Sequence, residues 1–249
     1  LIQLEKPSGV ITLESGTKLL CQSPLALFAQ DTQVVHFTQG VKVISDNGYT
    51  ADMFDVVVDY NNQMVRSDNA LAVRGEKINL DSLGFVARQN GDMIDFYGPV
   101  RVELKDSRRL VITAKKVMHV RRNAQTVDAF GKVMIDDGKN KVYGNTMTAS
   151  FVSIGQNQFD LRSVTVKGNV HIQTPDENIF GNEAFYDLQK EQAEIQGNVR
   201  VEKTQGVLTG DHAFIDMKKG TSRLESDRAN DTKRVKGTLL PDKIKNKEK

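Results

Sequence analysis

The stretch EIQGNVRV at 194–201 decides the fold, because the chain repeats it. Close versions are VKGNVHI at 166–172, FGKVMI at 130–135, FYGPVRV at 96–102 and FTQGVKV at 37–43. After each glycine the residues alternate, so Val199 and Val201 point to one face of a strand while Arg200 and Glu202 point to the other. β-Branched residues at the apolar positions suit a pleated sheet better than a helix. A glycine one or two residues ahead of the first inward valine predicts a bend or bulge at that point of the strand.

The glycines of the phrase are Gly40, Gly98, Gly131, Gly168 and Gly197, with gaps of 58, 33, 37 and 29 residues. The first gap is nearly two units long, and a degenerate copy around Asn69–Gly75 fills it. A second phrase, x-G-x-x-A-x-x, follows after a turn in YGNTMTASF (143–151), FGNEAFYD (180–187) and TGDHAFID (209–216), and more faintly in YTADMF (49–54). Asp46-Asn47-Gly48, Asn90-Gly91, Asp137-Gly138 and Lys219-Gly220 supply turn residues that tolerate positive φ. No segment sustains the i, i+3, i+4, i+7 apolar spacing of a helix, so the chain reads as all-β. A two-strand unit of ~30 residues cannot bury its apolar face alone, so stacked copies must share one continuous core.

Composition agrees with a thin core. Of the 249 residues 39% are hydrophobic and mean hydropathy is −0.42, which leaves most strands with one wet face. The formal charge of +2 gives no field suited to nucleic acid, and the sparse aromatics are not interleaved with basic clusters. Residues 231–249 carry a local +4, leaving −2 on the rest, and read as a basic, disordered tail. The lone Cys21 excludes an internal disulfide and is expected as a buried small hydrophobe. Leu19-Leu20 before it lacks the small residue that a lipoprotein cleavage site needs. No stretch approaches the roughly 18–20 apolar residues of a membrane-spanning helix. The opening at Leu1 without a methionine is read as the trace of a removed signal or anchor, or of a start inside a longer gene product.

Catalytic signals are weak. His36, His119, His171 and His212 are isolated, with no metal-ligand spacing between them, so neither a metal nor another cofactor is expected. Asp136-Asp137 reads as a hairpin turn, and Asp52 and Asp55 as exposed strand positions, rather than as acid–base pairs. Nucleophile-elbow, Walker and dinucleotide-binding motifs are missing from the sequence.

The alternation of G-N-V-x-V with x-G-x-x-A-x-Y-D over about 96–226 resembles the OstA-like periplasmic family of the lipopolysaccharide transport system, the component that bridges inner and outer membranes. The span from about 8 to 104 resembles the inner-membrane-anchored component of the same system. It carries AQDTQVVHFTQGVKV (29–43), YTAD (49–52), VRSD (65–68) and DSLGF (81–85). The anchoring helix typical of that component has no counterpart here. These resemblances divide the chain into a module at 1–104, an OstA-like bridge module at 105–230 and the tail at 231–249.

The resemblance implies an elongated open β-jellyroll whose two antiparallel sheets part along one side, with lipid acyl chains between them. On that view Val41, Val43, Val100, Val102, Val133, Ile135, Val170, Ile172, Val199 and Val201 line an acyl groove, with Phe151, Phe180 and Phe214 as additions. The implied partners are lipopolysaccharide through its lipid A acyl chains, the inner-membrane ATP-driven transporter, the outer-membrane translocon and a head-to-tail second copy joined through open sheet edges. The implied location is the periplasm, with a tether to the inner membrane through a segment outside this chain. Two other readings remain open, a polysaccharide-acting parallel β-solenoid and a structural or adhesive β-repeat scaffold. The uneven gaps and hairpin turns fit the solenoid poorly.

Overall fold

Alternating sequence becomes strand along almost the whole chain. The structure is a computed structural model that describes all residues except 13–15, 106–108, 156–157, 217, 220, 227–234 and 240–249. Its strands begin with β1 (Ile2–Glu5), β2 (Ser8–Thr12), β3 (Lys18–Gln22), β4 (Leu25–Ala29), β5 (Val34–Ser45) and β6 (Thr50–Asp59). Shorter segments follow: β7 (Met64–Ser67), β8 (Leu71–Arg74), β9 (Ile78–Ser82), β10 (Gly84–Arg88), β11 (Met93–Tyr97), β12 (Val100–Lys105), β13 (Arg109–Ala114) and β14 (Val117–Arg121). Long strands return in β15 (Thr126–Asp136), β16 (Lys141–Gly155), β17 (Gln158–Gln173), β18 (Glu177–Asp187), β19 (Gln192–Lys203) and β20 (Gly206–Asp216), before β21 (Thr221–Glu225) and β22 (Lys236–Leu239). One 3₁₀ turn at Gln89–Gly91 is the only helical element among the described residues.

All pairings are antiparallel and they form two ladders. One runs β1–β4–β5–β6–β7–β10–β11–β14–β15 and continues through β16–β20 to β21. The other runs β2–β3–β5–β6–β8–β9–β12–β13–β15 and continues through the same long strands to β22. Each long strand therefore gives one half to each sheet, and the short strands pair end to end as broken versions of the same bent strand. A line of bends where the two sheets meet is the fold line of the molecule.

The repeated glycines make that line. Ladder register slips between Phe37 and Gly40, Phe130 and Val133, Lys167 and Val170, and Gln196 and Val199. At the last of these, Gly197 (φ 75°) and Asn198 (φ 53°) are both left-handed. That conformation costs an ordinary L-residue about 1–2 kcal/mol, and glycine and asparagine tolerate it best. The second phrase has a different reason for its glycine. A Cβ built on Gly181 would lie 2.5 Å from Ile195 Cγ2, so the neighbouring strand can approach only because nothing is there. Where strands break outright, Pro7, Pro24 and Pro99 sit at the junctions β1/β2, β3/β4 and β11/β12. Proline has no N–H to give to a ladder and is confined to such places.

The core lies between the sheets. Buried side chains form one cluster from Leu71 to Val170 and a second around Ile179, Ile195, Val199 and Ala213, with Ile172 and Ala184 packed against both. Residues 104 and 105 both lie within β12, whose ladder and core neighbours run on without a break on either side. Two expectations change. Within the expected disordered tail, Lys236–Leu239 pair with Thr209–Gly206, because β21 covers only the other half of β20; residues 231–234 and 240–249 lie outside the described residues. Cys21 is half-buried rather than buried, since β3 lies one strand from the sheet edge. Of the expected turn at Lys219-Gly220, Lys219 donates its backbone N–H to Asp216 Oδ1, and Gly220 is outside the described residues.

Candidate functional site

The interior is walled by two rows of paired residues. On the β22 side the pairings link Cys21 through Val43, Val102, Ile135, Ile172 and Val201 to Leu208, and every intervening partner is apolar. On the β21 side an equally apolar row runs from Phe85 and Phe96 through Met118, Met147 and Ile195 to Leu224. Strand spacing of ~4.8 Å makes each row a stripe transverse to the strands and continuous along the molecule.

Burial falls off with distance from the fold line. Val41, Val100, Val133, Val170 and Val199, next to the bends, are 1–5% exposed. Two residues further along the same strands, Val43, Val102, Ile135, Ile172 and Val201 are only half-buried although they face the same way. The opposite wall repeats the gradient, with Met118, Met147 and Ile195 buried and Val120, Val127 and Ile215 half-buried. Leu80 and Ile179 stay buried at 9% and 4%, and at the other positions the gradient is that of sheets in contact at a floor and parting above it. The ten aliphatic candidates all line that interior, and Phe151, paired with Leu161, packs against the same core cluster.

Phe180 and Phe214 do not line it. Phe180 stacks on His171 at 4.6 Å between ring centroids, with the Arg200 guanidinium 4.6 Å from its other face, and both partners point outward. Phe214 pairs with Glu194 and lies under Arg223 at 5.2 Å, again on the outer surface. The cause is the second phrase. In β18 and β20 the inward positions are Gly181 and Ala184, and Gly210 and Ala213, three residues apart across the bend. The aromatic next to either inward position must then face out, and a glycine has no side chain to reveal which face it occupies. Sequence reading also missed the β21-side wall. Its signal was present, since an apolar residue stands four positions before each inward valine, as in Ile195/Val199, Val166/Val170, Ala129/Val133 and Phe37/Val41.

Charged groups are kept on the outer surface. The best organised set is Asp95, which is 6% exposed and accepts hydrogen bonds from Arg88 (2.8 Å), Arg121 (2.8 Å) and His119 (2.7 Å). Burial alone would raise the Asp95 pKa, but the bonds from Arg121, His119 and Arg88 outweigh it and hold the carboxyl below its ordinary value. The set ties the short strands β10, β11 and β14 together. His36 pairs with Asp55, His171 is held in the ring stack, and Asp136 and Asp137 cap the turn at Gly138 and Asn140. Among the described residues no group of three His, Cys, Asp or Glu side chains is placed to hold a metal ion, and no helix is long and apolar enough to cross a membrane.

These features define a β-jellyroll of two bent sheets whose site is a long, largely apolar interior, with the charged clusters described above on the outside. No protein-family model and no curated protein matches the chain. Among solved structures the chain is similar to LptH, the LptA-homologous periplasmic component of the lipopolysaccharide transport device of Pseudomonas aeruginosa. The match has a TM-score of 0.45 at 15% identity and covers 53% of this chain and 95% of that one.

Proposed function

We propose that this protein is a non-enzymatic lipid conduit of the OstA-like family, which binds lipopolysaccharide by its acyl chains and passes it across the periplasm from inner to outer membrane. The observation that carries the reading is the unbroken apolar row from Cys21 to Leu208, half-buried at most of its positions, buried at Leu80 and Ile179, exposed at Leu208, and backed by a buried floor. An ordinary core has no reason to keep Val43, Val102, Ile135, Ile172 and Val201 of one row all partly open. Each methylene withdrawn from water contributes ~0.8 kcal/mol, so a multi-acyl lipid gains greatly from such a wall while its sugars remain in water.

In this reading residues 1–104 receive lipid from the inner-membrane ATP-driven transporter, and residues 105–230 carry it toward the outer-membrane translocon. A tether outside this chain holds the first module at the inner membrane. Copies joined head to tail through the open edges at β1/β2 and β21/β22 extend the groove.

Photo-crosslinking residues placed singly at Ile135, Ile172 and Val201, and at their outward neighbours Met134, His171 and Arg200, test this with purified lipopolysaccharide. Crosslinks to the inward set alone are expected. Their absence from both sets would reduce the row to plain core and favour a structural β-repeat protein.

A further inference from the structure

The groove floor is not wholly apolar, and at one of its serines the hydroxyl is left without a partner. Ser82 is 4% exposed, and its Oγ finds no hydrogen-bond partner among the described residues. It lies two residues from Leu80 on β9, hence on the same inward face, and pairs with Leu71 of the core cluster. The register that joins Asp81 to Arg101 leads next to Val100, the most deeply buried of the floor valines together with Val199. An unpaired hydroxyl therefore stands between leucine and valine, facing the interior. Asn79 Oδ1, the other buried side-chain atom without a partner, is one residue from Leu80 and so belongs to the outward face.

An unpaired buried hydroxyl is costly enough that each one in a native protein calls for an explanation. The neighbouring bend-line serines do not share the problem. Ser67 Oγ donates to the Phe54 carbonyl at 2.5 Å and Ser23 Oγ to the Leu25 carbonyl at 3.2 Å. Alanine at position 82 would fit the same space without the penalty. A group that is a liability in the empty protein gains a purpose if the cargo supplies its partner.

We propose that Ser82 is a polar contact for the cargo within the groove, its hydroxyl pairing with an oxygen carried along an acyl chain, so that hydroxylated or ester-bearing chains are favoured over plain saturated ones. The inference rests on the conduit reading. Depth narrows it further. Ser82 lies two residues beyond Leu80 on β9, about 7 Å at a rise of ~3.3 Å per residue, and Leu80 is itself only 9% exposed, so the row is closed above it. Where cargo parts the sheets at this strand, a substituent in mid-chain reaches the hydroxyl, and a carboxylate headgroup at the mouth does not.

Displacement of a fluorescent fatty acid by stearic acid, and by hydroxystearic acid with its hydroxyl in mid-chain, tests this on the full chain and on Ser82→Ala. The protein should bind the hydroxylated probe about tenfold more tightly than the plain one, the size of one buried hydrogen bond. Ser82→Ala should bind both within about twofold of each other while unfolding at no lower temperature than the parent. If the ratio of affinities is the same in both proteins, the Ser82 hydroxyl is satisfied by water and the inference is overturned while the conduit stands. If neither probe binds either protein, the conduit reading falls and the inference with it.

Discussion

Replacing Gly181 by alanine tests the account of the second sequence phrase. Its backbone is not left-handed, so no conformational penalty applies, and the whole effect must come from contact. The new Cβ would sit 2.5 Å from Ile195 Cγ2 and 3.4 Å from the Gln196 carbonyl oxygen, and Ile195 is 0% exposed with nowhere to move. Overpacking of this kind costs about 1–3 kcal/mol. Ile195→Ala alone removes a fully buried side chain and costs about 2–5 kcal/mol. In the double variant the methyl at 181 enters space that the isoleucine has vacated, so the two losses should fall short of their sum by about 1–2 kcal/mol. The chain has no tryptophan, so urea unfolding is best followed by circular dichroism, with m-values compared to verify that cooperativity is unchanged. Additive losses, to within about 0.5 kcal/mol, would refute the idea that close approach of the β18 and β19 backbones is why position 181 carries glycine.

Two further outcomes are expected. The Asp95 pKa is depressed in the folded state, so its contribution is complete above the unfolded value of about 3.9 and is lost as pH falls through the folded value. Asp95→Asn should therefore flatten the acid limb of the stability–pH curve below about pH 4 and lower stability at pH 7 by about 1–3 kcal/mol, discounted for the exposed arginines; an unchanged acid limb in denaturant titrations would contradict this. Phe180→Ala should cost about 0.5–1.5 kcal/mol through loss of the His171 and Arg200 contacts. It should leave lipopolysaccharide crosslinking at Ile172 as it was, and a lost crosslink would return Phe180 to the groove.

Much of this protein is local and was legible in its sequence. Period-two alternation marks the strands and their inward valines, because side-chain direction in a strand depends only on the backbone pleat. Gly131, Gly168 and Gly197 mark the bends, because the left-handed backbone found there selects residues one at a time. Pro7, Pro24 and Pro99 mark broken strands for an equally local reason, although their pattern emerges only once the ladders are seen. What the chain could not declare is how the two halves of each strand are used. Tertiary pairing decided that β7 with β8, and β11 with β12, act as single bent strands shared between two sheets. It also decided that Gly181 and Ala184 both face inward three residues apart, which turns Phe180 and Phe214 outward. A bend resets the alternation by an amount set by the neighbouring strands, and the side chain that would have announced the reset is the one glycine lacks.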